Sequence, residues 1–160
     1  MKLRIALLWI LTSGMAAIAQ VPAPCPWFSS GSAEMALGGA VTTTAHSSSN
    51  WDGSCKFEHQ SSTGAHTIEI LVSKTDPHSC PAMSKNLKAL GNEAVQCSRE
   101  NAQRQESDTI AGRVRDAYFV VTMTNMPDAI REPSADARPS DPFEGSLLER
   151  VAEQVAGSLF

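Results

Sequence analysis

The chain has 160 residues, with 13 basic and 17 acidic side chains and a formal net charge of −4. This length favours a single domain, and apolar residues, at 42%, are numerous enough for a packed core. The acidic balance argues against a nucleic-acid-binding protein, because such proteins usually present a basic face.

The N-terminus has the three zones of a secretory signal peptide. A positively charged start and an unbroken apolar run over 5–11 are followed by the small-x-small pattern that ends at Ala19. We predict that residues 1–19 are removed and that residues 20–160 form one exported domain, periplasmic or secreted. The apolar run is shorter than a bilayer of about 30 Å requires, so no stable membrane anchor is expected after cleavage. The alternatives are a retained N-terminal helix and a lipidated Cys25.

Four cysteines follow the predicted cleavage site: Cys25, Cys55, Cys80 and Cys97. An even number of cysteines in an exported chain indicates disulfides. Three connectivities are possible, and we favour Cys25–Cys55 and Cys80–Cys97 because each pair would tie a predicted helix start to a nearby strand. The competing interpretation is a zinc site, but zinc ligands usually come in close pairs such as C-x-x-C, and these cysteines are widely spaced.

The first half of the domain is predicted as one helix followed by three strands. The helix covers 30–37, with Ser30 as its cap and Gly38 at its stop. The elements after it are a strand over 41–44, a polar turn region over 46–53, a strand over 55–60, a flexible hairpin loop over 61–65 and a strand over 67–72. Alternation of polar and apolar residues is typical of antiparallel strands with one solvated face.

The second half is predicted to begin with a helix over 81–90. Met83, Leu87 and Leu90 recur there at helical spacing, and Gly91 follows them. Three strands come next, over 93–98, 108–114 and 117–124, with a turn at 115–116 between the last two.

The C-terminal part combines a loop and a helix. Residues 127–145 contain four prolines and no apolar periodicity, which predicts a long flexible loop. Ser146 and Glu149 form a capping box at the start of the last helix. The apolar stripe expected to pack on the sheet consists of Leu147, Val151, Val155 and Leu159. The order α-β-β-β-α-β-β-β-α predicts an α+β fold, with an antiparallel sheet of about six strands flanked by helices and two disulfides.

The search for catalytic motifs finds no G-x-S-x-G, no H-E-x-x-H, no phosphate-binding glycine loop and no EF-hand pattern. We therefore predict no catalytic residues and no cofactor. The expected function is that of a non-enzymatic binding or accessory domain for an unknown small ligand or an envelope protein. The alternatives are a small exported hydrolase, built on the histidines with Glu58 or Glu69, and a metal-binding protein that uses histidines or methionines.

The ligand-binding candidates are Arg113 and Arg115, which would share one side of an extended stretch and hold an anion. The competing interpretation is a hairpin end with a surface Arg–Asp pair. His59 and His66 are weaker candidates for a transition-metal site across a hairpin, against an interpretation as solvated surface histidines. The remaining histidines are His46 and His78.

Trp27 and Trp51 would offer a stacking platform, although packing of Trp27 on the first disulfide is the simpler interpretation. Met83, Met123 and Met126 would suit copper(I), and the competing interpretation is core packing.

The order of several short motifs resembles a group of small exported bacterial proteins of unknown function. The motifs are Cys-Pro-Trp before a helix ending Leu-Gly-Gly, then Gly-Ser-Cys-Lys-Phe, Gly-Asn-Glu-Ala-Val-x-Cys and Gly-Arg-Val-Arg-Asp-x-x-Phe-Val-Val. The layout is similar to that of actinobacterial lipoproteins and of the two-disulfide extracellular sensor domains of mycobacterial kinases. This resemblance implies a helix-flanked antiparallel sheet with a ligand-binding cleft. The chain departs from these proteins because it lacks a kinase, a transmembrane segment and a lipidation site.

Overall fold

The computed structural model describes residues 24–62, 64–77, 80, 84–88, 90–100, 106–124 and 146–160. Within these ranges the elements are α1 (Ser30–Leu37), β1 (Thr42–Ser49), β2 (Asp52–Ser61), β3 (Gly64–Ser73), β4 (Lys85–Leu87), β5 (Glu93–Glu100), β6 (Glu106–Val114), β7 (Ala117–Thr124) and α2 (Leu147–Ser158). The signal peptide predicted over 1–19 and the flexible loop predicted over 127–145 lie outside the described residues.

The strands form one antiparallel sheet in the order β1-β2-β3-β7-β6-β5-β4. β1 to β3 make one run of hairpins, and β4 to β7 make a second run. The two runs meet where β7 pairs with β3 in the middle of the sheet. The connection from β3 to β4 therefore takes the chain from the centre of the sheet to its far edge. The predicted α+β class and its antiparallel sheet are confirmed.

The segment predicted as the second helix is the main correction. Lys85–Leu87 forms β4, which pairs antiparallel with β5, so the described sheet has seven strands instead of about six. Leu87 and Leu90 are apolar because both contact the core. Leu90 is buried in the core at the end of the segment, and Leu87 packs at its edge. Pairing with β5 outweighs a weak local helix preference in this short segment.

Two smaller corrections concern element ends. The region predicted as a polar turn over 46–53 is mostly strand: β1 continues to Ser49 and pairs with β2, and the turn is confined to Asn50 and Trp51. The cap of α1 is Ser29 and not Ser30, since the Ser29 side chain accepts a hydrogen bond from the backbone N–H of Ser32. The left-handed conformation of Gly38 (φ 80°) ends this helix as predicted.

A single hydrophobic core lies between one face of the sheet and the two helices. α1 packs near β2 and β3, and α2 packs on β6 and β7. The rings of Phe28 and Phe57 meet edge to face at a centroid distance of 5.6 Å. The largest side chains that are fully buried in the core are Phe57, Phe119, Leu37, Ile68, Ile70, Ile110, Met123, Leu148 and Leu159.

The last helix begins and packs largely as predicted. The Ser146 side chain accepts from the backbone N–H of Glu149, and the Glu149 side chain accepts from the backbone N–H of Ser146, which completes the capping box. Val151 and Val155 are buried against the sheet. Leu147 packs only at the edge of the core, whereas its neighbour Leu148 is fully buried.

Both predicted disulfides are present. Cys25–Cys55 ties the segment before α1 to β2, with a Cα–Cα distance of 5.8 Å. Cys80–Cys97 ties the β3–β4 connection to β5, with the same Cα–Cα distance. The second disulfide therefore holds a sheet-crossing connection that leads to β4. The prediction of this pairing had instead assumed that Cys80 precedes a helix.

Candidate functional site

The most site-like feature of the described chain is a shallow pocket of about 130 Å³ beside strands β5, β6 and β7. Glu93 and Arg113 face each other on β5 and β6, and Arg113 faces Tyr118 on β7, so the three residues form one rung of the sheet. Asp76 and Pro77, from the β3–β4 connection, also line the pocket. The rest of the lining comes from residues without a polar side chain: Ala94, Val95, Ala111, Gly112 and Phe119.

The pocket lies on the face of the sheet that is opposite to the helices. Side chains alternate between faces along a strand, and Gly112 and Val114 belong to the core side of β6, so Arg113 belongs to the other side. On that face Cys97 and Val120 are buried although neither belongs to the main core. The Cys80–Cys97 disulfide attaches the connection to this face of β5, and this attachment gives an otherwise open sheet surface a concave site.

The turn between β6 and β7 determines which residues flank Arg113. Arg115 has a positive φ of 53°, and its backbone N–H donates to the Asn92 side-chain oxygen at 2.9 Å. A two-residue turn at Arg115 and Asp116 pairs Val114 with Ala117, and therefore places Tyr118 opposite Arg113.

Arg113 is only partly satisfied by its neighbours. Its Nη2 atom lies 3.4 Å from Oε1 of Glu93, a long contact in which the Glu93 side chain is 76% exposed. Its Nε atom is buried and has no hydrogen-bond partner among the described residues. A buried donor without a partner costs about 1–3 kcal/mol. The Arg113 side chain is 39% exposed, so part of it remains open to solvent.

The two arginines predicted as one anion site have different surroundings. Arg115 is a turn residue, so the stretch is not extended there, and its guanidinium lies over the ring of Phe160, 5.7 Å from the ring centroid. Arg115 is not among the residues that line the pocket, whereas Arg113 is. The surroundings of Arg113 therefore supply the candidate site without Arg115.

The structure brings His59 and His66 together as cross-strand neighbours of β2 and β3. Their rings are stacked, with centroids 6.4 Å apart and planes 19° apart. Nδ1 of His59 lies 2.9 Å from the carbonyl oxygen of Ala40, so the hydrogen bond requires the proton on Nδ1. Nε2 of His66 bonds the hydroxyl of Ser61 at 2.8 Å. Among the described residues no group of three or more His, Cys, Asp or Glu side chains is arranged to hold a metal ion.

The carboxylates considered for a hydrolase, Glu58 and Glu69, both approach one lysine. Nζ of Lys56 lies 3.4 Å from Glu58 and 3.7 Å from Glu69. Phe57 and Ile68 point into the core, so Glu58 and Glu69 point away from it, whereas His59 and His66 share the core side. The sheet therefore separates the two carboxylates from the two imidazoles, and these four residues do not form one site.

The remaining candidates have mainly structural surroundings. Trp27 is buried in the core, and its indole N–H donates to the backbone oxygen of Asn50 at 2.8 Å. Trp51 is 37% exposed in the β1–β2 turn, so the two tryptophans do not form one platform. Met123 is buried in the core, and His46 lies exposed on β1. The candidates Met83, Met126 and His78 lie outside the described residues.

Comparisons of the chain with protein-family models, with curated proteins and with solved structures found no match. The sequence motifs missed three residues of the pocket, Glu93, Tyr118 and Asp76. A signal for Tyr118 existed, because the turn at 115–116 sets the register that places Tyr118 beside Arg113. No local pattern marks Asp76, since it reaches the pocket only through the path of the β3–β4 connection.

Proposed function

We propose that this protein is an exported, non-enzymatic binding domain that holds a small carboxylate-bearing ligand at Arg113. The observation that carries the proposal is the state of that arginine. It lines a pocket, its side chain is partly exposed, and among the described residues its guanidinium is paired only with Glu93, through a long and exposed contact. An exposed ion pair of this kind is weak, about 0–1 kcal/mol, so a ligand displaces it readily.

The chemistry of the guanidinium favours a carboxylate as the bound group. Arginine presents several N–H donors in a planar arrangement that matches the two oxygens of a carboxylate. Because Nε is covered in the structure, an incoming carboxylate meets the exposed nitrogen atoms of the guanidinium first. The pocket is shallow, with a volume of about 130 Å³, and it suits a small ligand or a small part of a larger one.

Export is the second part of the proposal. Two disulfides are typical of proteins that fold in an oxidising compartment. The described chain has no helix with the length and apolar character needed to cross a bilayer. Together with the signal-peptide pattern at the N-terminus, the disulfides favour a periplasmic or secreted protein. We also propose that the domain is similar to the extracellular sensor domains named above, on the basis of the order of its sequence motifs.

Ligand titration of the purified mature chain tests the binding site. Propionate and L-alanine serve as probes, and backbone amide shifts of Ala111 and Tyr118 in nuclear magnetic resonance spectra report on the pocket. We expect at least one probe to shift these resonances and Arg113→Gln to weaken the response at least tenfold. Arg115→Gln is the matched control, which removes a guanidinium two residues away and should leave the response unchanged. If neither probe shifts these resonances, or if both variants respond alike, the proposed site is wrong.

Mass spectrometry of protein taken gently from the exported fraction tests compartment and occupancy. We expect a chain that begins at Gln20 and gains about four hydrogens on reduction, in accordance with two disulfides. A small mass that is lost on denaturation would identify the natural ligand. A native spectrum that shows an associated envelope protein and no small ligand would favour an accessory role and contradict the small-ligand proposal.

A further inference from the structure

We propose that the ligand of this pocket is a small zwitterion, a compound with a carboxylate and an ammonium group on a short aliphatic skeleton, as in the smaller amino acids. This inference rests on the proposed function, because it specifies the ligand of the same site. The observation behind it is the mixture of charges around the pocket. The lining residues include one arginine, Arg113, and two acidic residues, Asp76 and Glu93, and Glu93 contacts the Arg113 guanidinium.

A simple anion fits these charges poorly. A carboxylate bound to Arg113 would lie close to Glu93, whose oxygen is 3.4 Å from the same guanidinium. Like charges this close repel each other, and the repulsion offsets much of the attraction to arginine.

An ammonium group on the same ligand removes this difficulty. Glu93 is 76% exposed and spans only a long contact to Arg113, so its carboxylate can accept from an ammonium group without breaking a strong ion pair. A ligand with both charges therefore pairs its carboxylate with Arg113 and its ammonium group with Glu93. Each charged group of the ligand then has an oppositely charged neighbour.

The size and the apolar part of the lining indicate a short skeleton. The pocket is shallow, with a volume of about 130 Å³, which suits a small ligand. Pro77, Val95 and Ala111 add apolar surface next to the charged groups, which suits one or two methyl or methylene groups. A large side chain on the ligand would have to extend into solvent.

Three probes that differ by one charged group test this inference on the mature disulfide-bonded chain. L-Alanine carries both charges, propionate lacks the ammonium group and ethylamine lacks the carboxylate. We expect L-alanine to bind at least tenfold more tightly than propionate and ethylamine, measured from the amide shifts of Ala111 and Tyr118. The variant Glu93→Gln should reduce the preference for L-alanine over propionate at least fivefold, whereas Lys56→Gln, remote from the pocket, should preserve it.

The outcomes separate this inference from the proposed function. If propionate binds as tightly as L-alanine and Arg113→Gln abolishes both, the binding site stands and the zwitterion inference is wrong. If ethylamine binds as tightly as L-alanine, the site recognises a cation and the inference is also wrong. If no probe shifts the pocket resonances, the proposed function fails with it. A folded state for each variant is checked by the dispersion of its amide resonances.

Discussion

Two adjacent leucines at the start of α2 provide a matched test of how this helix packs on the sheet. Leu148 is 1% exposed and belongs to the main core, whereas Leu147 is only partly buried at its edge. We expect Leu148→Ala to lower the free energy of unfolding by about 3 kcal/mol and Leu147→Ala to lower it by about 1 kcal/mol.

The two magnitudes follow from burial. A fully buried leucine that is cut to alanine loses its transfer free energy and leaves a cavity, which together cost about 2–5 kcal/mol. A partly buried leucine loses a fraction of the transfer term, and solvent or neighbouring side chains fill the space. The substitution changes helix propensity equally at both positions, so the difference between the variants reports packing alone.

Urea unfolding followed by circular dichroism measures both free energies. For a domain of this size 1 kcal/mol corresponds to a shift in Tm of about 3–4 °C, so the two variants should melt about 6–8 °C apart. Equal destabilisation would mean that α2 docks through a wider face than the structure shows. A greater loss for Leu147→Ala would mean that the helix is rotated about its axis, and either result would refute the packing argument.

Three further variants test the first disulfide, a close contact within the sheet and a glycine near the end of α2. Replacing Cys25 and Cys55 together by alanine opens a link between residues 30 apart in sequence, and should reduce stability by about 3–4 kcal/mol in urea unfolding. An unchanged unfolding midpoint would show that the first disulfide adds nothing to stability. A Cβ at Gly112 would lie 2.6 Å from the Phe119 ring, so Gly112→Ala should destabilise by about 1–3 kcal/mol. A Cβ at Gly157, near the end of α2, would meet nothing within 4 Å, so Gly157→Ala should stabilise by about 0.5–1 kcal/mol; melting curves that shift in the same direction for both would contradict this contrast.

Elements with a strong local signal were predicted correctly. Alternation identifies β3 because Ile68, Ile70 and Val72 are buried between more exposed neighbours, as the burial pattern of Gly64–Ser73 shows. The capping box at Ser146 identifies the start of α2 because both of its hydrogen bonds are local. Both disulfides were also paired correctly, although the expected tie between a helix start and a strand applies to Cys25–Cys55 and not to Cys80–Cys97.

The element that was missed depends on distant residues. β4 has three residues, and it exists as a strand because β5 pairs with it. A three-residue strand carries too few alternating positions to be distinguished from a helical pattern. The strand β1 was predicted too short for a related reason, since its serine-rich end is exposed on both faces and its strand state derives from pairing with β2.

The candidate site shows the same division between local and distant information. Arg113 was identified from the sequence because charge is concentrated around it, and Tyr118 follows from the two-residue turn between β6 and β7. Asp76 comes from a connection that crosses from β3 to the opposite edge of the sheet, and the Cys80–Cys97 disulfide holds that connection on β5. The concave shape of the pocket therefore depends on topology, and the charge expected of the proposed ligand depends on which residues the topology brings to Arg113. A sequence with the same hairpin and a different connection would present an arginine on an open sheet, where solvent competes for every donor and a small ligand gains little by binding.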